Sequence, residues 1–241
     1  MRIIPLHEGN YSVNKNKEFS VLTETSPAAD LKMSITPFLV ITGPDIVLLD
    51  VGLDTLKHNK PLIYQCLDQA DIKPTQITKV LLSHLHKDHI EGLWRTEAGQ
   101  WVPNFPKAQI FLQERELEFA LQQTNAPAYN NILLEKLSKL PNKVLMNDDE
   151  GLVTNEIAFE VTGGHSPFHQ VFWIREADEI AFYGADNLPQ RSYLKIPIAY
   201  KSDYDGRKAM VLRQEWEKKA KAEHWKILLY HDLKVPVLEL S

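Results

Sequence analysis

Residues 81–92 read LLSHLHKDHIEG, and four ligand-type side chains fall within six positions there: His84, His86, Asp88 and His89. In an extended segment, side chains two apart project the same way, so His84 and His86 can grip one ion together. Asp88 and His89 follow after the chain turns and can face a second ion beside it. Imidazole and carboxylate suit Zn²⁺ and also Fe or Mn, so ligand type alone does not choose the metal. Burying this many titratable groups without compensation is costly, which favours metal binding over a structural role. A catalytic ion takes about three protein ligands and keeps an open position, so two ions need more ligands than this stretch holds.

The remainder must come from further along the chain. His165, in VTGGHSPFHQ, follows a strand-like run, and the two glycines before it permit a sharp turn. Asp186, in FYGADN, and His231, in ILLYHD, also stand where apolar runs end. Ligand-type residues at several strand ends describe a site along the edge of a sheet. Taken alone, His231 reads as a hydrogen-bonded structural histidine; the cluster at 84–89 does not. His7, His58 and His224 lie in polar stretches and read as solvated surface side chains.

These residues need elements to hold them. Residues 38–52, FLVITGPDIVLLDVG, read as a hairpin turning at Gly43-Pro44-Asp45. Helices are expected over 55–70, 114–123, 130–140 and 205–224, the last capped by Asp203 or Asp205. Strands are expected over 77–84, 108–113, 157–162, 170–174, 179–184 and 226–231. Strands and helices alternate with hairpins mixed in, which predicts an α/β layered fold with partly antiparallel sheets. Glycine-rich phosphate loops are absent.

Composition sets the outer bounds. With 44% apolar and 24% charged residues, the chain has the make-up of a water-soluble globular protein. A net charge of −5 argues against broad nucleic-acid binding. Its one cysteine, Cys66, rules out an intrachain disulfide and reads as a buried, inert thiol. The start, MRIIPLHEGNYS, lacks the apolar core of a signal peptide, and no run reaches membrane-spanning length. The expected setting is therefore cytoplasmic, with a small-molecule substrate and neither nucleic acid nor membrane as partner.

Taken together, the motifs form a family pattern. SHLHKDHIEG resembles the HxHxDHxxG signature of the metallo-β-lactamase superfamily. DVG at 50–52 resembles its first motif, GGHSPFHQ its third, YGAD the strand ending in a bridging Asp, and LLYHD the final His. The resemblance runs in the family's order from residue 38 nearly to the end. It implies one domain over residues 1–241, an αββα sandwich of two facing mixed β-sheets with helices outside, and metals at one edge. It also implies ligands: His84, His86 and His165 for one metal, Asp88, His89 and His231 for the second, and Asp186 between them. Two divalent ions are implied, with Zn²⁺ first and Mn or Fe as alternatives. Asp50 is implied to orient ligands, with a hairpin cap as the plainer reading, and His169 to lie behind the ligands.

Among the branches, the chain resembles the lactonase and organophosphate-hydrolase-like one. A long segment precedes the first hairpin, and DYDGRKAM leads a helix between Asp186 and His231. There are two departures. Phe168 replaces the second glycine of the third motif, and Pro189 stands where one group of acyl-homoserine-lactone hydrolases keeps a catalytic tyrosine. Tyr193 is the nearby substitute.

The activity implied is hydrolysis of an ester, lactone or similar carbonyl substrate by a hydroxide held between two metals, with Asp88 shuttling the proton. Phosphotriester or phosphodiester hydrolysis on the same fold is the alternative, as is a metal-holding sensor with little turnover. Trp94, Phe168 and Tyr193 read equally as pocket walls or core. Residues 9–37 read either as an edge hairpin covering the sheet or as a lid over the metals, within one chain or exchanged in a homodimer.

Overall fold

In a computed structural model, which describes residues 1–240, the chain builds two six-stranded mixed sheets with helices outside them. The first sheet runs in the order Arg2–Pro5, Phe38–Thr42, Asp45–Leu49, Lys79–Leu81, Gln109–Gln113, Lys143–Met146. Its first three strands are antiparallel and the rest are parallel additions. The second runs Glu150–Leu152, Ile157–Val161, Gln170–Glu176, Glu179–Tyr183, Lys226–Leu228, Val237–Glu239, antiparallel except between Glu179–Tyr183 and Lys226–Leu228.

Strand side chains alternate, and both alternations are apolar here, so each sheet has two buried faces. Phe38, Val40, Val47 and Leu49 face the second sheet, where Phe172, Ile174, Tyr183 and Leu228 meet them. Leu39, Leu48, Val80 and Ile110 face the other way, onto Leu67, Leu117 and Leu134 of the helices Leu62–Gln69, Glu114–Leu121 and Asn131–Ser138. Val171, Phe182 and Ile227 pack outward against Trp216 and Ala220 of the helix Gly206–Glu223. The result is four layers: helix, sheet, sheet, helix.

The hairpin forms as expected, with Gly43 at φ 54 in its turn. The expected helix over 55–70 is shorter and starts later. Leu56–Lys57 and Lys60–Pro61 pair as a tiny hairpin whose turn residues, His58 and Asn59, take φ 53 and 59. That twist closes a two-residue hairpin, and Pro61 then precedes a helix confined to Leu62–Gln69. The long helix takes Asp205 as its cap, the carboxylate accepting from Lys208 N at 2.9 Å. Asp203 is left for another task.

Between the first strand and the hairpin, residues 9–37 are more than an edge hairpin. They form a separate three-stranded antiparallel sheet in the order Phe19–Val21, Gly9–Val13, Leu31–Ile35. Among the described residues, no helix is long and apolar enough to cross a membrane.

Candidate metal centre

The ligand-type residues leave the carboxyl ends of neighbouring strands on one edge of the sandwich. His84 and His86 lie just after Lys79–Leu81, and Asp88 and His89 sit in the single helical turn Lys87–Ile90. His165 follows Ile157–Val161, Asp186 follows Glu179–Tyr183, and His231 follows Lys226–Leu228. The tight turn is held by Gly92, where any Cβ would overlap the carbonyl oxygen of Val51. Val51 N in turn donates to His89 O at 3.0 Å. The signature glycine therefore locks this turn onto the loop carrying Asp50.

All seven residues converge. Ligand atoms of His84, His86 and His165 lie within 4.8 Å of one another, and so do those of Asp88, His89 and His231. Asp186 lies between the two groups. Its Oδ1 is 3.0 Å from His231 Nε2 and 3.2 Å from His89 Nε2, and its Oδ2 is 3.3 Å from His165 Nε2. Asp88 Oδ2 is 3.5 Å from His231 Nε2.

Four imidazoles are anchored by their other nitrogen, and the partners fix the tautomer. His89 Nδ1 lies 2.7 Å from Asp50 Oδ2, His165 Nδ1 lies 2.8 Å from Asp203 Oδ1, and His231 Nδ1 lies 2.7 Å from the Ser34 carbonyl. Each of these oxygens only accepts, so each Nδ1 carries the proton. His84 Nδ1 lies 3.0 Å from Ser83 Oγ, whose own proton goes to Asp50 Oδ2 at 2.6 Å, so it too donates. Every one of the four Nε2 lone pairs then points inward, the form that binds a metal.

Three of the inward atoms, His89 Nε2, His231 Nε2 and Asp186 Oδ1, are buried without a hydrogen-bond partner. His86 Nδ1 sits 3.0 Å from both His84 Nε2 and His165 Nε2, a crowding of nitrogen lone pairs that a shared cation resolves. Buried polar atoms left bare are costly, and a divalent ion satisfies several at once. The donor set therefore fits metal.

Electrostatics agrees. Burial, then neighbouring imidazolium repulsion, hold His84 and His86 well below the usual histidine range, so both stay neutral. At His89 burial opposes positive charge, but Asp186, Asp88 and Asp50 outweigh it and hold the imidazole well above its usual range. His231 is raised against burial by Asp186. A proton and a metal compete for one lone pair, so carboxylates that favour the imidazolium favour any cation there. Burial also opposes ionisation of Asp186, but His231, His89 and His165 outweigh it and keep its carboxyl well below the usual range.

The model of the metallo-beta-lactamase superfamily matches residues 33–231. The chain belongs to this superfamily. No curated protein matches it significantly. Solved structures do. A probable metal-dependent hydrolase from Staphylococcus aureus superposes with a TM-score of 0.80 at 18% identity, over 100% of this chain and 92% of its own. The hydrolase AbOPH of the beta lactamase superfamily gives 0.71 at 19% identity, over 98% and 89%. AidC, a dizinc quorum-quenching lactonase bound to its product, gives 0.70 at 23% identity, over 86% and 76%. At these identities the likeness is one of fold.

Around the seven stand supporting residues: Asp50, expected from the first motif, and others that the motifs do not reveal. Asp50, buried at φ 54, accepts from Ser83 N, Ser83 Oγ, His89 Nδ1 and Tyr183 Oη, all within 2.8 Å. It thus orients ligands while also ending the hairpin. Tyr230 stacks on the His89 ring at 4.3 Å and donates to the Asp88 carbonyl at 2.7 Å. Asn187 ties down the loop of the third motif, accepting from His165 N at 2.9 Å and donating to Thr162 Oγ1 at 3.0 Å. Gly164 takes φ 96 beside it, where a Cβ would meet the Asn187 amide. Ser83, Asn187 and Tyr230 each adjoin a ligand in sequence, which is a usable signal. Asp203 and Ser34 give none.

Other expectations resolve as follows. His169 is buried with Nδ1 3.2 Å from Asn187 Nδ2, behind the ligands. His7, His58 and His224 are exposed. Cys66 is buried, and burial pushes its thiol up to about 12, so it is inert. Trp94 belongs to the helix-side core. Phe168 lies under the Arg115 guanidinium, and Tyr193 stacks on Tyr200 beneath Arg213. None of these three lines the opening over the histidines. That opening is a narrow crevice lined by Phe19, Met33, Asp88, Asp186 and His231. It adjoins a cleft of about 380 Å³ walled by Phe119, Tyr129 and Tyr204, with His86 and His165 at its base.

Proposed function

We propose that this chain is a dinuclear metal-dependent hydrolase of an ester, lactone or similar carbonyl substrate. The inward-facing Nε2 atoms of four anchored imidazoles, set around two carboxylates beneath a narrow crevice, carry this reading. His84, His86 and His165 would hold one ion and Asp88, His89 and His231 the second, with Asp186 placed between the two groups. The set suits Zn²⁺, with Mn or Fe also accommodated. When bound, two divalent ions supply Lewis acidity toward a carbonyl oxygen and water activation at neutral pH.

The chain's own groups do the rest. Asp88 lines the crevice, placed to take a proton and return it to the leaving group. Asp50, Asp203 and the Ser34 carbonyl fix three imidazole planes. Phe119 and Tyr129 wall the space where the organic part of the substrate lies, and Phe19 and Met33 roof the crevice as part of a lid over residues 9–37.

The test joins elemental analysis of protein purified without chelator to an ester, lactone and phosphotriester panel. The expected result is about two ions per chain, since seven ligands exceed the needs of one tetrahedral ion, and turnover of carbonyl esters or lactones that chelator abolishes. A stoichiometry fixed near one, or a fully loaded protein inert across the panel, refutes the proposal. Turnover confined to phosphotriesters transfers the reading to the phosphoryl reaction.

A further inference from the structure

The cleft beside the histidines carries a charge pattern that a neutral ester does not need. The whole chain is acidic, with 32 Asp and Glu against 27 Lys and Arg. Yet the 14 residues lining this cleft include no carboxylate, and two are lysines: Lys15 and Lys17. Both come from the turn between Gly9–Val13 and Phe19–Val21, at the tip of the three-stranded flap. Lys17 is half-buried and lines both the cleft and the crevice over the candidate metal centre. Lys87 flanks the same crevice with its ammonium over the Phe19 ring at 5.7 Å.

Among the described residues, none of Lys15, Lys17 and Lys87 forms an ion pair. The lysine ion pairs of the described residues involve Lys60, Lys79, Lys221 and Lys226. Glu18, on the same turn, accepts from Asn14 Nδ2 at 2.6 Å and pairs with neither lysine. The turn itself is built rather than slack. Asn14 Oδ1 accepts from Asn16 N and Glu18 N at 2.9 and 3.1 Å, and Lys17 N donates to Asn14 O at 3.0 Å with Lys17 at φ 58. The two carboxylates that do reach the crevice, Asp88 and Asp186, belong to the metal-facing set. A cation-rimmed pocket with apolar walls focuses attraction on an anion at the rim.

We propose that the substrate bears an anionic group, carboxylate or phosphate, remote from the bond that is cleaved, and that Lys15 and Lys17 recognise it. The scissile carbonyl lies toward His86 and His165, the apolar middle of the molecule against Phe119 and Tyr129, and the anion under the flap turn. This rests on the hydrolase reading above and names its substrate class.

The experiment uses metal-loaded protein and three esters on one scaffold, ending in a methyl, a carboxylate or a phosphate. The expected kcat/KM is at least tenfold higher for one or both anionic esters than for the methyl ester, and comparing the two shows which anion is preferred. That ratio should collapse toward one in the K15Q/K17Q double variant and shrink between 20 and about 500 mM salt, as a rim charge contact does. A ratio near one in the native protein, or one unmoved by the double variant, overturns the proposal. Calorimetry with the matching amides, intrinsically far slower to hydrolyse than the esters, keeps the two readings apart. Should none of these esters turn over, the wider ester, lactone and phosphotriester panel decides the hydrolase reading, whereas at least fivefold tighter binding of an anionic amide, lost in K15Q/K17Q, sustains the anion site. Equal binding of all three amides sinks it.

Discussion

Asp203 shows what a side chain can do at a distance from the candidate metal centre. Its carboxylate holds the Nδ1 proton of His165 at 2.8 Å and thereby aims the opposite nitrogen at the site. Replacing such a partner typically weakens metal binding about 10–100-fold. Asp203→Ala should lower metal affinity by that amount with the fold intact, read by chelator competition; unchanged affinity would show that the loop alone positions His165. Asp88 is a different case because it faces the crevice directly. Asp88→Asn keeps the shape but cannot carry a proton. Turnover should fall about 10²–10⁴-fold in protein reloaded to full metal content, and native-like turnover at full loading would remove Asp88 from the proton path. At this scale the sequence is legible where ligands cluster, as in HLHKDH, and where a supporting residue adjoins a ligand, as Ser83 adjoins His84. It is silent on Asp203 and Ser34, because their roles depend on where a loop and a flap strand return in space. The cap expected of Asp203 falls to Asp205 for the same reason: both precede the helix, and only the loop's path separates them.

At the scale of elements, the hairpin and the outer helices are readable because apolar period and turn chemistry agree there. The segment 55–70 misleads because its apolar spacing continues through Pro61, while His58 and Asn59 enter left-handed conformations that close a hairpin first. The flap is the element whose role is least evident from composition. Its strand Leu31–Ile35 supplies the Ser34 carbonyl to His231 at 2.7 Å, and its Phe19 and Met33 line the crevice. The flap thus touches both a ligand and the approach to it. Changing Phe19 and Met33 together to Ala should lower kcat/KM for long-acyl esters at least fivefold more than for a small activated ester, since remote contacts orient only the larger molecule. Equal losses on both would assign these side chains to folding. Gly92 makes the complementary point about a turn. With the Val51 carbonyl in the way of any Cβ, Gly92→Ala should cost at least about 2 kcal/mol of stability through forced backbone displacement, measured by denaturant unfolding, and an unshifted midpoint would mean that the turn yields freely.

For the whole molecule, alternation within each strand is enough to predict layers, because apolar residues on both faces require cover on both. What alternation cannot supply is which strand ends share an edge; the crossing order of the strands decides that, and with it the assembly of a site from residues 84 to 231. The same return of distant segments buries a carboxyl group whose consequences are global. Glu8 lies at the entry to the flap with its carboxyl packed against Gly52, one oxygen accepting from Leu53 N at 3.1 Å and the other without a partner. Burial pushes this carboxyl from 4.5 up to about 8, only partly offset by the Leu53 N–H. In the unfolded chain the proton leaves near the ordinary value, whereas the folded chain keeps it until about 8. Between those values the unfolded state binds fewer protons, so stability contributed here is complete below about 4.5 and declines as pH rises through about 8. One proton sets a limiting slope of about 1.4 kcal/mol per pH unit. Glu8→Gln presents the same shape and the same acceptor to Leu53 N with no proton to lose. The variant should therefore match the native protein near pH 4.5 and exceed it in stability by pH 8, the gap widening steadily across that window. Denaturant unfolding of both proteins at each pH reads the difference, and because both carry the same remaining titratable groups, other pH effects cancel in it. A gap that stays constant from acid to alkaline pH would mean that Glu8 ionises freely in the fold, with water or a shift of the Gly52 loop reaching the second oxygen.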